Sequence, residues 1–235
     1  MTPDPRPVDT PGKWDPNSFY RDAEVAANYD RERFSSLAGA VYVWLERRAL
    51  LRALREVPKG TQILDLPCGT GRLAEVLLEA GYRVVGADVS AEMLDVAKNR
   101  LKRFGELFSW EIRDAHRSSA ADHKYAAALC ARVLMHFPLE EQISFLKGVA
   151  ASSKKYVIIT HSFDSPYQRA RRCAKRVIVG TKSPAAYPVN SANIRDLLSH
   201  SGLRELRRIR LTRLLSEAII IVAERIEIPN EPSDR

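Results

Sequence analysis

The chain has 235 residues, 45% of them apolar, which is enough to bury one substantial core without requiring a second domain. Basic residues outnumber acidic ones 37 to 29, and the resulting net charge of +8 favours an anionic partner without constraining the fold. The three cysteines, Cys68, Cys130 and Cys173, show no CxxC spacing and argue against a disulfide framework or a cysteine zinc cluster. No stretch approaches the roughly 18 apolar residues of a membrane span, and the polar opening MTPDPRPVDTPGKWDP has no signal-peptide core, so a soluble protein of the reducing cytoplasm is expected.

Five of the thirteen prolines fall within the first 16 residues, which predicts a mobile arm over residues 1–17. A helical apolar face runs through Val41, Trp44, Leu45, Ala49 and Leu51 until Pro58 and Gly60 stop it, so residues 18–58 read as a helical cap. From Thr61 strands and helices alternate. TQILDL, YRVVGADV, LFSWEIRD, YAAALCARV and KYVIITHS read as strands, with LAEVLLEA, AEMLDVAKNRL and LEEQISFLKGVA as helices between them. Such alternation implies right-handed crossovers and a parallel sheet covered on both faces. After an irregular basic stretch, NIRDLLSH reads as a helix and LRELRRIRL and EAIIIVAERI as two last strands, before a polar tail over residues 227–235. The fold class is therefore α/β, with a Rossmann-like, mostly parallel sheet of seven strands and an N-terminal helical cap.

The most informative segment is ILDLPCGTGR at residues 63–72, a strand that enters a glycine turn and then a helix. Gly69 and Gly71 are expected to let the backbone approach a ligand where a side chain would collide. GTGRLA also satisfies the dinucleotide-binding G-x-G-x-x-G/A pattern, so the turn alone does not choose a cofactor and an NAD(P)-dependent oxidoreductase stays open. Asp65, four residues before Gly69, suits a cationic ligand group, while Asp88, 19 positions after Gly69, can accept bonds from ribose hydroxyls. A structural alternative has Asp65 buttressing the turn and Asp88 capping the helix that starts near Ala91.

DLPCGTGR, ADVSAEMLDVAKNR, the acid in EIRDAH, and LCARVLMHFP together resemble the class I S-adenosylmethionine-dependent methyltransferases, in particular the ubiquinone- and menaquinone-type and small-molecule subgroup. The resemblance implies a methyltransferase domain over residues 59–226, with S-adenosyl-L-methionine as cofactor and S-adenosyl-L-homocysteine as product. It implies that Pro67, Cys68, Gly69, Gly71 and Arg72 form the turn around the methionine part and that Asp88 holds the ribose. Val89 and Met93 would flank adenine, Asp114 and Ala115 would meet its edge, and Cys130 and Arg132 would border the pocket from strand four. Tyr29, in ANYDRERF, resembles a lead-in tyrosine that reaches over the cofactor. Arg132 stands where metal-assisted relatives carry an acid, and the five histidines show no ligand spacing, so no metal is expected.

Methyl transfer to oxygen needs a proton acceptor, and the carboxyl ends of the strands direct attention to His136 and His161 as candidate catalytic bases. Between Ser165 and Arg195 the chain carries Arg169, Arg171, Arg172, Lys175, Arg176, Lys182 and Arg195 without one acid, which points to an anionic acceptor such as a phosphorylated or carboxylated metabolite, glycan or lipid-linked group. Arg169, Arg171, Arg172, Tyr187 and Tyr20 are the candidate acceptor contacts. The same basic balance supports an RNA methyltransferase or RNA-binding protein as the alternative, although no RNA-binding module is visible. Peripheral contact with a membrane surface is compatible with the charge.

Overall fold

A computed structural model describes residues 23–117, 123–164, 166–167, 169–170, 173, 187–212 and 217–226. The expected arm, the polar tail, Tyr20, Arg171, Arg172, Lys175, Arg176 and Lys182 lie outside these described residues.

Two helices open the described chain, α1 at Ala23–Phe34 and α2 at Leu37–Ala53. Ser36 separates them because its extended backbone ends the first helix, while its hydroxyl accepts from the Gly39 N–H and caps the second at 3.1 Å. Then follow β1 Gln62–Asp65, α3 Arg72–Glu79, β2 Arg83–Asp88, α4 Ala91–Leu101, β3 Phe108–Ile112, β4 Tyr125–Ala131, α5 Leu139–Ser152 and β5 Ser153–Ser162. The chain closes with α6 Ser191–His200, β6 Leu203–Arg210 and β7 Ala218–Arg225. The seven strands lie in the order β3-β2-β1-β4-β5-β7-β6. The first five pair in parallel, and β7 runs antiparallel to both β5 and β6.

Strand periodicity explains why both faces are covered. Leu64, Val157, Ile159, Ile219 and Ile221 point into one core with Leu146 of α5 and Leu197 of α6. Their neighbours Ile63, Ile158, Ile220 and Val222 point into the other, with Leu50 of α2 and Leu77 of α3. The cap is fastened to this second face. Arg207 of β6 grips Glu56 with two bonds of 2.6 Å and donates to the carbonyls of Arg52 and Ala53 at the end of α2.

Strand order reverses at β1, whose neighbours β2 and β4 lead away in opposite directions, and a crevice opens at such a switch point beyond the strands' carboxyl ends. The glycine turn sits there, but its two glycines do different work. A Cβ on Gly69 would meet no atom within 4 Å, whereas one on Gly71 would lie 2.9 Å from Leu101 Cδ1 and 3.0 Å from Ala97 Cβ. Gly71 therefore lets α3 start against α4, and the expectation that it makes room for ligand is corrected. Gly71→Ala should lower unfolding free energy by about 1–3 kcal/mol through overpacking and a φ of 75°. Gly69→Ala should cost less, and equal losses in urea titrations of the two variants would refute the close α3–α4 packing.

Candidate cofactor and active site

The crevice is a cavity of about 1060 Å³, open mouth included. Its floor is the turn after β1, entered through a cis Leu66–Pro67 bond. Leu66 N–H donates to Leu129 O of β4 and Cys68 N–H to Ala87 O of β2, both at 2.9 Å, so two strands hold the turn open. Asp88 adds a side-chain hold: Oδ2 accepts from Gly69 N–H at 2.8 Å and Oδ1 from Ser90 N–H at 3.0 Å. The cap of α4 is Ser90, whose hydroxyl accepts from Met93 N–H at 3.0 Å, and not Asp88. Burial raises the Asp88 pKa, while the amides of Ser90 and Gly69 pull it back.

Asp65 is more unusual. It is 1% exposed, and neither carboxylate oxygen has a hydrogen-bond partner among the described residues. Burial, and then the Asp88 charge, hold its pKa well above the carboxylate range. The Arg72 guanidinium and the Ala74 N–H pull the other way without closing a hydrogen bond to either oxygen. A carboxyl group facing a cavity in this state is a receptor for a cation. Burial and the same two aspartates push the Cys68 thiol well up, so it lines the cavity as an unreactive wall.

The cap supplies the roof. Tyr29 and Asp30 of α1 line the cavity, and Asp30 Oδ2 accepts from Thr70 Oγ1 at 2.8 Å and Arg100 Nη2 at 2.5 Å. Behind them Glu46 of α2, 1% exposed, sits 2.7 Å from Arg72 and 3.8 Å from Arg132, and Arg132 donates to the Tyr42 hydroxyl at 3.1 Å. Both guanidiniums lie over the Phe34 ring, at 4.6 and 5.4 Å. Arg132 follows β4 with a φ of 61°, rare for a side chain of this size, and its N–H is held by Thr160 Oγ1 at 2.8 Å. On the far wall Asp114 accepts from His116 N–H at 2.9 Å, and the His116 ring stands edge-on to Phe137 and Phe145.

Most residues singled out from sequence meet here: Tyr29, Asp65, Pro67, Cys68, Gly69 and Arg72 on the turn side, and Asp88, Val89, Met93, Asp114, Ala115, Arg132 and His136 around the rest of the wall. Others do not. Gly71 is absent from the cavity wall, and Cys130 is fully buried in the core on the α5 face, because sheet alternation turns it away from the crevice. Arg169 is exposed and bonded to Asp164 at 2.6 Å, and the exposed Tyr187 does not line the cavity, its backbone N–H donating to Met135 O at 2.8 Å. Asp30, Thr70, Arg113, His116, Phe137 and Phe145 also line the cavity and were not singled out. Asp30 carried a local signal, its place beside Tyr29, but its partners are 40 and 70 residues away.

His161 is the clearest correction. It is 1% exposed on β5 and does not reach the cavity. Its Nδ1 accepts from Ser162 N–H at 2.8 Å, which leaves the proton on Nε2 for Gln142 Oε1 at 3.1 Å. Gln142 in turn donates to Phe137 O at 2.8 Å and towards Tyr187 O at 3.4 Å. The imidazole thus braces the loop that carries His136 and is no proton acceptor for a ligand.

This α/β architecture, with an orphaned carboxylate and a second buried acid at its switch point, is Rossmann-like. Residues 63–155 match the family described as methyltransferase domain. The chain is 25% identical over 147 residues to the magnesium-protoporphyrin O-methyltransferase of a Synechocystis strain, covering 61% of this chain and 63% of that one. It is 29% identical over 128 residues to a ubiquinone biosynthesis O-methyltransferase of Actinobacillus pleuropneumoniae, covering 52% of this chain and 53% of that one. The matches thus span less than two thirds of either relative's length. Among solved structures, magnesium protoporphyrin IX methyltransferase of Synechocystis with bound SAH superposes with a TM-score of 0.69 at 21% identity, covering 88% of this chain and 99% of that one. Over its α/β domain the chain is thus similar to S-adenosylmethionine-dependent methyltransferases.

Burial lowers the His161 pKa from its usual 6.5 to about 4. The folded state therefore binds fewer protons than the unfolded chain between these values, so stability is fully present above pH 6.5 and falls as pH drops towards 4, by about 3 kcal/mol in all. His161→Gln should be less stable than the parent at pH 7 and should close that gap as pH falls through the same window. A parent-minus-variant difference that stays constant from pH 7 to pH 4 in urea unfolding would show that the histidine is not buried neutral.

Proposed function

We propose that the chain is an S-adenosylmethionine-dependent O-methyltransferase acting on a small acceptor that carries an anionic group. The observation that carries the cofactor assignment is Asp65, buried, facing the cavity and unbonded at both oxygens. S-adenosylmethionine brings an ammonium group that such a carboxylate receives, whereas the pyrophosphate of a dinucleotide would set negative charge against Asp65 and Asp88. When bound, the cofactor supplies a methyl group on cationic sulfur.

The chain's own residues then position and exclude. Asp88 keeps lone pairs for ribose hydroxyls while its bonds to Gly69 and Ser90 fix its orientation. Val89, Met93, Asp114 and Ala115 form the wall for the base. Tyr29 and Asp30 close the roof against water. His136, on the turn Leu134–His136 at the cavity wall, is the remaining candidate to take the acceptor's hydroxyl proton. The anionic character of the acceptor rests on the net charge of +8 and the acid-free basic stretch that follows β5.

Calorimetry with S-adenosylmethionine, S-adenosylhomocysteine and NAD(P)H should show binding of the first two alone. Asp88→Ala and Asp65→Asn should each weaken it by about 1–3 kcal/mol, the scale of lost charge-assisted bonds. Unchanged affinity in both variants, or tight NAD(P)H binding, would end this reading.

Labelled methyl transfer into polar and lipid extracts identifies the acceptor. With it, His136→Gln should lower kcat about a hundredfold and remove the acidic limb of the pH–rate profile. Arg169→Gln/Arg171→Gln/Arg172→Gln should raise acceptor KM and flatten its salt dependence while cofactor affinity holds. A triple variant that handles its acceptor like the parent would remove the support for an anionic substrate.

A further inference from the structure

The two sides of α2 are chemically opposed. Gly39, Glu46, Ala49, Leu50 and Ala53 are buried against the body. On the opposite side, Leu37, Val41, Trp44 and Leu51 are 83%, 49%, 53% and 36% exposed. They recur at helical spacing, so they form one outward stripe, and the buried side prevents the helix from rotating to hide it.

The basic residues follow the same side. The Arg48 guanidinium lies 4.9 Å over the Trp44 ring, and Arg52 and Arg55 continue the stripe towards the end of the cap. Glu46, the one acid between Leu37 and Arg55, is on the buried side. Arg47 pairs with Glu79 and Arg55 with Glu56, but Arg48 and Arg52 have no carboxylate partner among the described residues. An exposed tryptophan with flanking aliphatics and unneutralised arginines is the composition of a helix that lies in a lipid interface.

We propose that the outward face of α2 docks on an anionic lipid bilayer, with Leu37, Val41 and Trp44 entering the headgroup–acyl boundary and Arg48 and Arg52 meeting lipid phosphates. Charge complementarity selects this occupant. A second copy of the face brings no carboxylate to Arg48 or Arg52, and nucleic acid offers phosphates but no apolar layer for Leu37 and Val41. The surface does not use the cofactor cavity, so it stands or falls independently of the methyltransferase reading.

The test uses the full chain with Trp14→Phe and Trp110→Phe, leaving Trp44 as the fluorescent reporter. It is mixed with vesicles of phosphatidylcholine alone and of phosphatidylcholine with phosphatidylglycerol, at low and high salt. The protein should float with the anionic vesicles, with a blue shift of Trp44 emission, and binding should weaken with salt and be negligible on neutral vesicles. Leu37→Ser/Val41→Ser/Trp44→Ser and, separately, Arg48→Gln/Arg52→Gln should each reduce flotation about tenfold or more without lowering the melting temperature. Flotation unchanged in either variant, or equal binding to neutral vesicles, overturns the proposal. So does a Trp44 emission already blue-shifted without vesicles, because another part of the chain or a second copy then covers the stripe, and sedimentation at several concentrations tells which.

Discussion

Everything at the cavity is arranged around a carboxyl group that the protein itself does not satisfy. Burying an ionised carboxylate without partners costs several kcal/mol, and burial with the neighbouring Asp88 charge accordingly holds the Asp65 pKa well above the carboxylate range. The two acids are kept apart in role by their surroundings. Asp88 receives two backbone N–H groups and is fastened to the turn, while Asp65, one strand away, receives none. Filling the space beside Asp65 with a cation removes the penalty that the fold carries there, which is the physical meaning of a preformed site.

Under the cap, Glu46 is a buried carboxylate shared by Arg72 and Arg132, and both guanidiniums lie over the Phe34 ring.

Residues that act within their own segment were legible from sequence. ILDLPCGTGR and the spacing to Asp88 place turn, acid and helix by local geometry, and strand alternation with the final NIRDLLSH, LRELRRIRL and EAIIIVAERI gave the sheet its strands in order. What was not legible depends on parity or on distant partners. Cys130 and His161 sit near the ends of the right strands, but the side to which a strand residue points is fixed by register, and that turned both away from the crevice. Gly71 looked like a ligand glycine because the reason for it, Leu101, lies thirty positions on in another helix. Asp30 and His116 belong to the site through contacts that no local pattern encodes.

The two cap helices differ in how they are held. Of the α1 side chains described, Ala26 is buried while Asn28, Tyr29, Asp30 and Phe34 are half-buried, and its firm ties are polar, from Asp30 to Thr70 and Arg100. Each such tie at a partly wet position contributes on the order of 1 kcal/mol. By contrast α2 buries Ala49, Leu50 and Ala53 in the core and has its end gripped by Arg207, so displacing it exposes apolar surface as well as breaking ion pairs. Among the described side chains the apolar anchoring of the cap therefore lies in α2, and α1 brings Tyr29 and Asp30 to the cavity wall.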